Sequence, residues 1–189
     1  MTGFEKDIVK CLETLKAGGL ILYPTDTVWG IGCDATNEQV VEKIYKLKRR
    51  SDEKAMIVLV AGERDIMQHV AAPDLSLFDH LDKTTKPTTV VYEGALGFAD
   101  NIVANDGSIA IRICKDEFCR QLIKRFRKPV VSTSANISGL PAPKCFKEIS
   151  DEIKNGVDYL VQYRRDDERI AEPSSLIKWN NGNVTILRP

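Results

Sequence analysis

The sequence predicts an α/β protein: one mixed, open sheet with helices packed on its faces. Three observations predict it. Short apolar runs of strand length recur along the chain, bounded by Gly, Pro or polar turn residues. In the first half these runs alternate with stretches of helical periodicity. In the last thirty-odd residues strands crowd together without helices between them.

Taken in order, Phe4, Ile8, Leu12 and Leu15 recur at helical spacing, and Gly18-Gly19 is the stop signal. Leu20–Tyr23 (LILY) reads as a buried strand that Pro24 ends. Asn37 is placed to cap a second helix with Val40, Val41, Ile44 and Leu47 as its apolar stripe. Met56–Val60 (MIVLV) reads as a central strand, and residues 63–85 as helix with Leu75, Phe78 and Leu81 on its apolar face. Thr88–Tyr92 and Ser108–Ile113 read as strands flanking a turn-rich, irregular stretch. A helix over Phe118–Phe126, the strand PVVSTS, a small-residue loop ANISGLPAP and a polar helix near Lys144–Asn155 follow. VDYLVQ, SSLIKW and NVTIL close the chain as strands.

The chain's 189 residues suit one domain, 1–189, with no internal repeat, low-complexity tract or linker. Lysines and arginines number 27, as do acidic residues, so the formal net charge is zero. That balance argues against a surface coated in basic residues for bulk nucleic-acid binding and leaves room for a local basic patch. No apolar run has the length of a membrane span, and MTGFEKDIVK has no apolar signal core, so a cytoplasmic protein is expected. The five cysteines form no C-x-x-C pair, which points away from zinc and from a disulfide framework. The two histidines, His69 and His80, sit in stretches that read as surface helix, away from any Ser-His-Asp pattern.

Four features stand out from this background. KLKRRSDEK, Lys46–Lys54, holds five cations in nine residues at the end of the second helix. It reads either as cations favoured by a helix C-terminus or as a grip for phosphate or carboxylate. YPTDTVWGIG, Tyr23–Gly32, puts Thr25, Asp26 and Thr27 straight after a strand, as a hydrogen-bonded turn or as a ligand site at a strand's C-terminal end. STSANISG, Ser132–Gly139, gathers hydroxyls and an amide after a second strand, as a helix cap or an anion-binding turn. No Walker loop is present. Arg112 interrupts an apolar strand, which is costly unless it meets a carboxylate such as Asp34 or Glu53 or faces a cavity. Thr, Ser, Arg and Lys at the ends of several elements, without an obvious general base, suit holding anionic reactants together.

In this order YPTDTVWGIGCDA, K-x-R at Lys48–Arg50 with Lys54 behind it, IAIRI and STSANISG resemble the YrdC-like family, from about Gly18 to the C-terminus. The resemblance implies a YrdC-like twisted open mixed sheet. It implies a threonylcarbamoyl-AMP synthase, joining L-threonine, bicarbonate and ATP into threonylcarbamoyl-adenylate with release of pyrophosphate. It further implies magnesium on the phosphates, no protein-held metal, and a downstream tRNA threonylcarbamoyltransferase as partner. Some members bind tRNA or double-stranded RNA, and a paralogue that does so without making the adenylate is the alternative. Carried over by motif, Thr27, Arg112 and Ser132 would bind threonine. Lys48, Arg50, Lys54, Ser108, Ser134, Asn136, Ser174 and Arg188 would bind ATP, with Lys48 and Arg50 serving the reaction itself. The sequence departs from the family pattern at Trp29, Ala55, Leu59, Ala142 and Ser175, and in the segments Thr85–Thr89 and QYRRDDERIAEPSS.

Overall fold

In a computed structural model, residues 3–51 and 56–189 are described. Among them, nine strands join in one sheet: β1 (Ile21–Tyr23), β2 (Gly30–Gly32), β3 (Ile57–Val60), β4 (Thr88–Tyr92), β5 (Ile109–Ile113), β6 (Val130–Ser134), β7 (Tyr159–Leu160), β8 (Ser175–Asn180) and β9 (Asn183–Arg188). Their spatial order is β7-β1-β2-β6-β3-β5-β4-β8-β9. Three parallel pairs (β1–β7, β3–β5, β4–β8) sit among five antiparallel ones, so the sheet is mixed as expected.

The helices are α1 (Glu5–Lys16), α2 (Glu38–Lys48), α3 (Glu63–His69), α4 (Ser76–Lys83), α5 (Glu117–Phe126) and the short α6 (Asp151–Asn155). The Asn37 side chain accepts from the Val40 amide and caps α2; Asp116 does the same for α5 through Cys119. α1 and α5 pack together through Phe4 and Phe118, whose rings meet edge to face at 5.5 Å, while α3 and α5 lie against β3.

Register sets the two faces of the central sheet. Val131, Val58, Ile111, Val90 and Ile177 lie side by side across β6, β3, β5, β4 and β8, and all are buried. One residue along, the row reads Ser132, Ile57, Ala110, Val91. That second row is the floor of the site.

Some expectations are corrected. Residues 63–85 form two helices, not one. Val70 leaves the helix to bridge Ala95, the Ala71 amide bonds Gly94, Ala72 takes a left-handed φ of 46°, and Pro73 follows. The register of α4 is thereby reset: Leu77 is buried and Leu75 is 62% exposed. The polar helix expected near 144–155 is a single 3-10 turn followed by α6, which Ser150 caps. The strand β2 falls inside the stretch that reads as a turn, because Gly30 and Gly32 hide its periodicity. A Cβ at Gly32 would sit 2.6 Å from the Tyr23 ring. All five cysteines are free, four of them buried. No helix among the described residues is long and apolar enough to cross a membrane.

Candidate active site

The strand β1 delivers the chain into Pro24-Thr25-Asp26-Thr27, and Thr25 organises this turn. Its hydroxyl donates to the Val28 carbonyl at 2.8 Å, accepts from the Thr27 amide at 3.0 Å and lies 3.0 Å from the Thr27 hydroxyl. A short, buried hydroxyl fixes a polar turn in this way. The turn faces β5, where Arg112 is only 3% exposed. The Arg112 guanidinium donates to Asp26 Oδ1 at 2.9 Å and to Thr27 Oγ1 at 3.2 Å. Its partner is therefore Asp26. The expected candidate Asp34 is occupied elsewhere, by Lys128 at 2.6 Å and by Thr36. The other candidate, Glu53, lies outside the described residues.

Arg112 keeps one edge unmet. Its Nε is buried and has no hydrogen-bond partner among the described residues. Leaving a buried donor unpaired costs about 1–3 kcal/mol, more for a charged group. The guanidinium also lines a cavity of about 350 Å³ on the serine-bearing face of the sheet. An arginine that lines a cavity and is held by one carboxylate, with a donor still unpaired among the described residues, can take a second, incoming acceptor.

Around this cavity stand Thr27, Arg50, Ser108, Arg112, Ser132, Ser134, Ser174 and Arg188, eight of the eleven positions singled out by motif. They come from six separate parts of the chain. Ser132 and Ser134 share a face of β6, and Ser134 pairs with Gly30, where a Cβ would press within 3.1 Å of the Ser132 hydroxyl. Ser108 precedes β5, its amide bonded to Asp106 at 3.0 Å. Ser174 is fixed by a 2.7 Å hydroxyl contact with buried Thr89. Arg188, at the end of the edge strand β9, donates to the Ser174 carbonyl at 3.0 Å and to its hydroxyl at 3.3 Å. Met56, Ile57, Val91 and Leu176 supply an apolar wall.

The basic run divides by position. Lys46 stays on the surface beside Glu42, and Arg49 reaches Glu152 at 2.8 Å. Arg49 takes the left-handed conformation at the end of α2, with φ of 50°, and so turns the next residue, Arg50, into the cavity. Lys48 does not line the cavity. Only 1% exposed, it donates to the carbonyls of Ser134 and, at 2.6 Å, Asn136. Asn136 is also outside the lining, its amide nitrogen donating to the Ile137 and Leu140 carbonyls. Lys54 lies outside the described residues.

Among the described residues, the charged groups lining the cavity are cations. Arg50, Arg112 and Arg188 line it, and Asp26 bonds only one of them. Burial pushes the Arg50 pKa down; burial, and then the charge of Arg112, pushes down that of Arg188. Both shifts record cations held where water solvates them poorly. An anionic ligand would offset that cost. Among the described residues no three His, Cys, Asp or Glu gather as a metal cage.

Sequence reasoning missed Asp26 as the anchor of Arg112, and Gly30 as the position that lets Ser132 and Ser134 face open space. The glycines flanking Ile31 in W-G-I-G were the available signal for both a strand and a close approach.

Known proteins resemble this chain in sequence and in fold. The sequence profile of the Sua5_yciO_yrdC family, described as telomere recombination, matches residues 13–189. The chain belongs to the Sua5/YciO/YrdC family. A relative from Photobacterium profundum, named threonylcarbamoyl-AMP synthase, is 31% identical over 82% of this chain and 86% of its own. One of the same name from Stenotrophomonas maltophilia is 29% identical over 95% and 97%. Among solved structures, P. abyssi Sua5 complexed with L-threonine superposes with a TM-score of 0.85 at 22% identity, over 98% of this chain. The chain spans 54% of that Sua5 chain, so the two share this family fold and Sua5 continues beyond it.

Proposed function

We propose that this Sua5/YciO/YrdC-family chain, as one domain over residues 1–189, is a threonylcarbamoyl-AMP synthase. It joins L-threonine, bicarbonate and ATP into threonylcarbamoyl-adenylate and releases pyrophosphate. This is a transfer of the adenylyl group to a carbamate oxygen, the class of a nucleotidyltransferase. A tRNA threonylcarbamoyltransferase would consume the product. The observation that carries the reading is buried Arg112, held by Asp26 and with its Nε unpaired among the described residues, lining a cavity with two further arginines and six hydroxyl-bearing residues.

The chemistry follows from charge. Threonine's amine condenses with bicarbonate, releasing water, to give a carbamate, whose oxygen then attacks the α-phosphorus of ATP and displaces pyrophosphate. Both reactants are anionic. Two unit charges about 4 Å apart repel by roughly 4 kcal/mol at an effective dielectric near 20. In this reading Arg112 takes the threonine carboxylate on its free edge, with Asp26 holding the guanidinium from the other side. Thr27 and Ser132 flank the same end. Arg50, Ser134, Ser108, Ser174 and Arg188 face the nucleotide, and Arg50 and Arg188 offset its phosphate charge. Magnesium belongs to the MgATP substrate, since no carboxylate among the described residues lines the cavity.

The test is direct. Purified protein with MgATP, labelled bicarbonate and L-threonine should give equal amounts of pyrophosphate and labelled adenylate. Omitting threonine should abolish both. Folded protein that releases no threonine-dependent pyrophosphate would remove this reading.

A further inference from the structure

We propose that Lys48 is a positioning residue that staples the end of α2 to the Ser134–Ser138 turn, and not a ligand of the nucleotide. The inference rests on the synthase reading for its catalytic meaning, and on geometry for its substance.

Lys48 grips the turn at three points. Its side-chain ammonium donates to the Ser134 and Asn136 carbonyls, and its own carbonyl accepts from the Ser138 amide at 2.8 Å. The residue is as buried as the apolar core and stands away from the cavity lining. The two residues that follow it diverge, Arg49 to the surface and Arg50 into the cavity. Across the staple, Ser134 faces that cavity too. Lys48 thus sets the separation of two cavity groups, Arg50 from α2 and Ser134 from β6, without touching what they bind. The turn needs such a tie. Asn136 Oδ1 and Ser138 Oγ are buried with no hydrogen-bond partner among the described residues, so the loop's own contacts leave it under-bonded.

The alternatives make opposite predictions about pH. Burial, and then the charge of Arg50, lower the Lys48 pKa to about 8. Among the described residues the ammonium meets the Ser134 and Asn136 carbonyls of the turn after β6, and the charge that acts on it is that of Arg50, from its own segment. A neutral amine still has two N–H donors, enough for two carbonyls. A positioning lysine therefore works on both sides of its pKa. A lysine that binds phosphate through its charge does not: affinity would fall as much as tenfold per pH unit above about 8.

The experiment is calorimetric binding of MgATP to the intact protein from pH 7 to 9.5, without threonine, alongside Lys48→Met and Lys48→Arg. Wild-type affinity should stay within about twofold. Both variants should weaken MgATP binding at least tenfold, since an arginine keeps the charge yet cannot fit a closed site shaped for an ammonium. Affinity falling roughly tenfold per unit above pH 8, or Lys48→Arg binding like wild type while Lys48→Met fails, would overturn the proposal. A second readout needs no ligand. Amide exchange across residues 134–140 should quicken at least tenfold in Lys48→Met while β3 and β5 keep their protection, and unchanged exchange there would equally sink it. Absence of threonine-dependent pyrophosphate in wild type would remove the synthase reading alone, because the exchange measurement still decides what Lys48 does.

Discussion

Two adjacent rows of residues across the central strands do different work. Val131, Val58, Ile111, Val90 and Ile177 are apolar and buried throughout. Shifted by one residue, Ser132, Ile57, Ala110 and Val91 line a cavity with Ser134, Ser108 and Arg112 on the same face. Pleating alone sends neighbours to opposite faces, so a strand such as SIAIRI can anchor a core and display an arginine at once. The lesson is that Arg112 is not a defect in a strand. Its two sequence neighbours carry the packing, and that rigid packing is what holds its guanidinium against Asp26.

The comparison can be broken from either side. Arg112→Ala should leave the sheet folded and cut threonine-dependent kcat/KM about 30-fold to 5,000-fold, the cost of removing one member of a desolvated charge contact. Adenylate assays over a threonine titration check it, and a loss below fivefold would exclude Arg112 from the threonine end. Ile111→Ala, one residue away, should do the reverse. It should lose about 2–5 kcal/mol of stability in urea, as buried Ile truncations do, with kcat nearly intact at low temperature.

Lys48 lies between these extremes. Its folded pKa of about 8 is below the ordinary 10.5. Between those values the unfolded chain binds more protons than the folded one, so this group's contribution to stability rises with pH across that window. The gain is about 1–3 kcal/mol at most. Urea midpoints at pH 7.5 and 10 should show the rise in wild type and a smaller one in Lys48→Met. The smallest effect belongs to single hydroxyls: Ser134→Ala should cost about 1 kcal/mol of transition-state stabilisation, roughly fivefold in kcat/KM, without moving the urea midpoint.

Most strands and the long helices were legible because each writes its own period: Phe4, Ile8 and Leu15 for α1, or the run Ile57–Val60 for β3. The failures were local and physical. Gly30 and Gly32 carry no side chain, so β2 had no pattern to read. The break between α3 and α4 comes from Val70 and Ala71 bonding Ala95 and Gly94, partners some 25 residues away that no local window contains. In the site, the motif order picked out eight residues that do line one cavity. It assigned Lys48 to the same task because K-x-R reads as one unit. A single left-handed residue, Arg49, sends its two flanking cations to different places.

The amino-acid sequence by itself determined the chemistry on offer: the mixed α/β class, the turn residues after β1 and β6, and the supply of arginines and hydroxyls. Those are properties of residue type and spacing, which survive without coordinates. Tertiary structure alone decided which cations line the cavity, which carboxylate steadies Arg112, and which lysine is buried against the turn after β6. Those outcomes depend on burial and on contacts between segments about 85 residues apart, as between Arg112 and Asp26 or Lys48 and Ser134. A buried polar group must find its partner wherever the chain brings one.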